Sequence, residues 1–146
     1  MTEVRNNEFF IGLKPLIGAM IGAGCGLSSI SFYTHGAFVM SISNDTGWSR
    51  GDVQLGVSIM ILMAIITAPI VGVLVDRFGA RRVALISIPL YGLSMSSFYF
   101  LSSSLSSYYL AWAIMSVMAA GTLPVTWTRV VNGWFDKHRG LSLIHI

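Results

Sequence analysis

The chain reads Gly72-Val73-Leu74-Val75-Asp76-Arg77-Phe78-Gly79-Ala80-Arg81-Arg82 between two long apolar runs. Gly79 allows a tight reversal of the backbone, and Gly72 allows close packing near the end of the helix before it. Asp76 can pair with an arginine, or sit at a helix N-terminus where negative charge is favoured. A loop that served only to orient a membrane protein would need the arginines, but neither the aspartate nor the ordered glycines. The stretch is therefore a functional corner between two helices.

The runs on either side set the class. Of 146 residues, 54% are apolar and 10% charged, with a mean hydropathy of +0.72. Soluble domains carry roughly a quarter charged residues, and disordered chains are poor in aromatics, so both are excluded. A helix needs about 20 apolar residues to cross the hydrocarbon core. The sequence divides into a polar tail over 1–15, ending in Phe9, Phe10, Ile11 and Lys14, and a first span over 16–42. A connector at 43–52 carries Trp48 where an interfacial aromatic sits. A second span covers 53–75 and is followed by the motif loop at 76–82. The third span covers 83–101, with Pro89 and Gly92 inside it; a Ser-rich hairpin spans 102–107. A fourth span over 108–131 is interrupted by Pro124. A second basic loop occupies 132–139, and 140–146 begins a fifth helix. The first run is nearly twice the length of a signal-peptide apolar region, so it reads as a retained span. Uninterrupted apolar runs rule out barrel strands, which alternate. The expected fold is an all-α membrane protein.

Charge orients it. Arg5, Lys14, Arg77, Arg81, Arg82, Arg129, Lys137 and Arg139 fall on one side of a four-span topology, and only Arg50 on the other. The basic side is cytoplasmic by the positive-inside rule, which puts the N-terminus inside a cell (inner) membrane. The net charge of +3 and pI near 9.4 are loop charge rather than a nucleic-acid surface. Cys25 stands alone in an apolar stretch and behaves as a small apolar residue. Nucleotide-binding, HExxH, paired-cysteine and GxSxG motifs are absent, and His35, His138 and His145 fall in three regions without metal-site spacing. No enzyme activity, cofactor or metal is expected.

The corner resembles the signature between helices 2 and 3 of the major facilitator superfamily, G-x-L-x-D-R-x-G-x-[RK]-[RK]. Gly72, Leu74, Asp76, Arg77, Gly79, Arg81 and Arg82 all match it. Gly47-Trp48-Ser49-Arg50 is similar to a connector of the monocarboxylate / oxalate–formate antiporter type. Trp134-Phe135-Asp136-Lys137-His138-Arg139-Gly140 resembles that type's turn into helix 5, with His138 in place of an arginine. Leu13-Lys14-Pro15-Leu16 lacks its helix 1 signature, and Val117 stands four before Gly121 where the superfamily carries an arginine. A drug-efflux or other organic-anion role therefore stays open beside the monocarboxylate one.

The resemblance implies a partial N-terminal six-helix bundle, with four transmembrane helices plus the start of a fifth. It implies alternating access for a small organic anion, by proton coupling or exchange, with the missing C-terminal helices of the same transporter as partner. The motif loop would act as a conformational latch whose charge pairs break and reform, with Asp136 or Arg129 as partners of Asp76 and Arg77. Residues 144–146 lack the glycine expected there, which suggests a fragment. The alternative is a complete four-helix protein, either an oligomeric multidrug-type transporter or a non-transporting tetraspan scaffold.

Within the spans, Gly18, Gly22 and Gly26 recur every four residues, a spacing that lets a neighbouring helix approach closely. His35 and Arg129 are the ionisable residues nearest membrane depth and the candidates for substrate or proton binding. Ser28, Ser31 and Phe32 share a helical face with His35. The competing readings are an outer-interface histidine and an arginine that snorkels to the interface. Tyr33, Tyr91, Tyr99, Trp112 and Trp127 are candidate cavity or interfacial aromatics.

Overall fold

The computed structural model describes residues 3–100 and 104–132, with side chains from Leu13 onward. Every element among them is helical: α1 (Glu3–Gly24), α2 (Ile30–Thr46), α3 (Arg50–Phe78), α4 (Ala80–Ser97), a 3₁₀ turn (Phe98–Phe100), α5 (Leu105–Met118), a second 3₁₀ turn (Ala120–Thr122) and α6 (Pro124–Asn132). Two of these segments, Arg50–Phe78 and Ala80–Phe100, are long and apolar enough to cross a membrane; Leu13–Gly24 and Leu105–Met118 are shorter apolar helices.

α3 shows why the fold belongs in lipid. Its 29 residues extend about 43 Å at 1.5 Å per residue. Val53, Val57, Met60, Val71 and Val75 form its buried stripe, while Leu55, Leu62, Ile65, Ile66, Ile70 and Val73 are exposed. Water would not tolerate so large an apolar face, whereas a bilayer matches it. The buried stripe packs mainly on α5, where Tyr108, Trp112 and Met115 complete the core with Leu27. Gly56 makes the approach possible, since a Cβ there would come within 2.6 Å of the Trp112 ring. Pro69 and Pro89 lie inside α3 and α4 without ending them.

The turns follow local chemistry. Gly47 closes α2 at φ +75°, and Ser49 opens α3 with a capping box. The Ser49 hydroxyl accepts from the Asp52 amide at 3.1 Å, and the Asp52 carboxylate accepts from the Ser49 amide at 3.2 Å. Together these satisfy donors that a helix start leaves open. Trp48 packs on Tyr108, ring centroids 5.4 Å apart. Ser104 caps α5 by accepting from the Ser107 amide.

The run 16–42, read from the sequence as one span, lies across α1 and α2 with a break at 25–29. The reason is the Gly24-Cys25-Gly26-Leu27-Ser28-Ser29 stretch: glycine weakens a helix, and serine competes for its backbone. The Ser29 hydroxyl donates to the Ala23 carbonyl at 2.8 Å and so covers an acceptor the break sets free. The run 108–131 is likewise divided, into α5, the second 3₁₀ turn and α6. Leu123 is extended, at φ −63° and ψ 152°, as a residue before proline prefers. Pro124 then starts α6, where its missing N–H removes no hydrogen bond.

The two breaks meet. The Leu27 amide donates to the Thr122 hydroxyl at 3.2 Å, which itself donates to the Ala119 carbonyl at 2.7 Å. The Trp127 indole donates to the Thr122 carbonyl at 3.0 Å. Non-helical backbone at membrane depth requires such partners from the protein, because lipid offers none.

Candidate functional site

The corner 72–82 is built by the end of α3 and the start of α4. Gly79 sits between them at φ +84°, a conformation few side-chain-bearing residues adopt, and its amide donates to the Val75 carbonyl at 2.9 Å. Gly72 differs from its sequence reading, because a Cβ there would meet no atom within 4 Å. Close packing is therefore not its role in this arrangement.

At this corner Asp76 and Arg129 form an ion pair and hydrogen bond between the end of α3 and the end of α6, 53 positions apart in sequence. It is the one salt bridge among the described residues. The side chains are 56% and 47% exposed, so water screens the pair. Arg77 lies over the Phe78 ring, 5.6 Å from its centroid. Arg81 and Arg82 are exposed in the first turn of α4, and Leu74 is 39% exposed. Of the two partners expected for Asp76 and Arg77, Arg129 meets Asp76; Asp136 and the rest of 134–140 lie outside the described residues, as do 144–146.

His35 stands elsewhere, in α2, and is only 5% exposed. Its ring meets Trp112 edge to face with centroids 5.1 Å apart. Its Nε2 has no hydrogen-bond partner among the described residues, and neither does Trp112 Nε1. Together with Ser31, Thr34, Phe38, Met95 and Phe98 these two residues line a cleft of about 310 Å³. Ser31, one turn before His35, exchanges a 2.6 Å hydrogen bond with the Tyr91 hydroxyl. His35 is therefore packed among the helices, without a hydrogen-bonding neighbour at Nε2 among the described residues. Of the residues read as sharing its face, Ser31 is buried with it, whereas Ser28 falls in the break and Phe32 is 46% exposed. His35 and Arg129 do not share a site, since Arg129 is engaged by Asp76.

The glycine series divides as well. A Cβ on Gly22 would run into the Trp127 indole, and one on Gly26 would come within 2.8 Å of the Thr122 carbonyl. Gly18 is not part of this packing, because a Cβ there meets nothing within 4 Å. α1 packs on α6 through Ala19, Gly22 and Ala23, and the four-residue spacing alone does not reveal where contact stops. Tyr91, Trp112 and Trp127 are buried, while Tyr33 and Tyr99 are exposed. The sequence reading missed Thr122 and its hydrogen bonds with Leu27 and Trp127. The signal available was the set of small hydroxyl residues at Ser31, Ser116, Thr122 and Thr126, all buried in apolar helices.

These features define an all-α membrane protein with a charged corner joining two long helices. The family model of the Major Facilitator Superfamily matches residues 13–144, and the chain belongs to that superfamily. Members are secondary transporters of small molecules rather than enzymes, and transport across a membrane is the general function that membership brings. No curated protein and no solved structure matches the chain.

Proposed function

We propose that the protein moves small organic anions, monocarboxylates among them, by alternating access coupled to protons or to exchange. The observation that carries the reading is the ion pair between Asp76 and Arg129. It joins two helix ends through half-exposed charges that water screens, so the pair can open and reform at little cost. The motif residues Gly72, Leu74, Asp76, Arg77, Gly79, Arg81 and Arg82 would then act as a latch on the cytoplasmic side. Arg77, Arg81 and Arg82 gather at the α3–α4 corner while Arg50 stands alone at the start of α3, which supports a topology with one basic end.

His35 is the candidate for substrate or proton. An imidazole titrates near physiological pH, and this one stands beside a cleft with an unpaired ring nitrogen. Arg129 serves the latch in this reading. Alternating access needs two bodies that rock against each other, and the described helices pack around a shared core. The proposal therefore includes further helices of the same transporter as partner.

The test is uptake of radiolabelled formate, oxalate and lactate into vesicles carrying the protein, with and without a pH gradient. Uptake of at least one, driven by the gradient or by a trapped counter-anion, is expected. Uptake confined to organic cations or neutral drugs would overturn the substrate class.

A further inference from the structure

The α3–α4 corner carries a second feature on its exposed side. Leu74 and Phe78 of α3, with Arg82, Val83, Ile86 and Ser87 of α4, line a cleft of about 320 Å³. Phe78 and Ile86 are 47% and 62% exposed, so the cleft opens to the surroundings. Its apolar part runs along α4 from Val83 to Ile86, and a guanidinium stands at the end nearest the helix start. An occupant must be apolar along most of its length and anionic at one end.

Charge bookkeeping points the same way. Arg129 takes up the charge of Asp76, which leaves Arg77, Arg81 and Arg82 with no acidic partner among the described residues. Arg81 and Arg82 also lie in the first turn of α4, which has no acidic residue and no side-chain cap. Cations are unfavourable at the positive end of a helix dipole, so an anion there relieves both the helix end and the arginines. A free phosphate would do so but would leave the apolar cleft empty. We propose that this corner binds an anionic phospholipid, with its headgroup on Arg81 and Arg82 and an acyl chain in the α3–α4 cleft.

The test is native mass spectrometry of the full chain in detergent. It is titrated with long-chain phosphatidylglycerol, long-chain phosphatidylcholine, dihexanoyl phosphatidylglycerol and inorganic phosphate. Long-chain phosphatidylglycerol is expected to be retained in preference to the other three. Arg81→Gln and Arg82→Gln should each lower its retention about five-fold, the weight of one basic residue at an anionic lipid surface. Arg50→Gln, at the other end of α3, should leave it unchanged. Ile86→Trp, which fills the cleft and keeps both arginines, should also reduce it, so the proposal does not hang on the arginine variants folding. Equal retention of phosphatidylcholine, or displacement by inorganic phosphate, would overturn it. So would unchanged binding in Ile86→Trp.

Discussion

Replacing Asp76 with Asn removes one charge from the exposed pair with Arg129 and keeps the side-chain shape. With exposures of 56% and 47%, the pair belongs with surface ion pairs, worth about 0.2–1 kcal/mol. That is too little to staple two helices together, so thermal stability in detergent should fall by no more than about 1 kcal/mol. The same energy matters more for a two-state equilibrium. About 1 kcal/mol changes a population ratio roughly five-fold. Asp76→Asn should therefore cut the rate of uptake several-fold while insertion and helical content stay at the parent level. Arg129→Gln should match it, and the two together should be no worse than either alone, since both remove one interaction. The charge swap Asp76→Arg with Arg129→Asp should recover part of the rate. Uptake in vesicles is the assay, with melting followed by circular dichroism. Additive losses in the double variant, or parent-level uptake in Asp76→Asn, would refute the reasoning.

Gly22→Ala should lower the melting temperature, because its Cβ meets the Trp127 indole, at a cost of about 1–3 kcal/mol. Gly18→Ala, with open space around it, should be near neutral in the same melt. Thr122→Val leaves the buried Leu27 amide without its acceptor and should cost about 1–3 kcal/mol in thermal unfolding. His35→Gln should change the pH profile of uptake; a profile that keeps its midpoint and slope would assign His35 a packing role against Trp112.

Much of the architecture was legible from the residues. Long apolar runs demand helices in a bilayer, and Gly79 between Phe78 and Ala80 marks the reversal at the corner. The break before Pro124 follows from proline's own geometry. The break at 25–29 was less legible, because its glycines and serines also suit a continuous membrane helix, where small residues mediate packing. The site was legible as a list of residues and not as a set of pairs. Asp76 called for a cation, and nothing local distinguished Arg129 from any other candidate.

The amino-acid order alone determined the class, the helical character, the charged corner and the superfamily resemblance that the family match sustains. All of these rest on composition or on neighbours within a turn or two. Tertiary structure decided which faces are inside. In water an amphipathic pattern announces the buried face, but here lipid and core are both apolar, so Val53 and Leu55 look alike in sequence although one is fully buried and the other is half exposed. Only the packing of α3 on α5 separates them. The packing of α1 and α3 against α6 likewise accompanies the meeting of the two helix breaks at Leu27 and Thr122 and sets Arg129 against Asp76. Contacts between residues 53 and 95 positions apart depend on how whole helices pack, which no local pattern encodes.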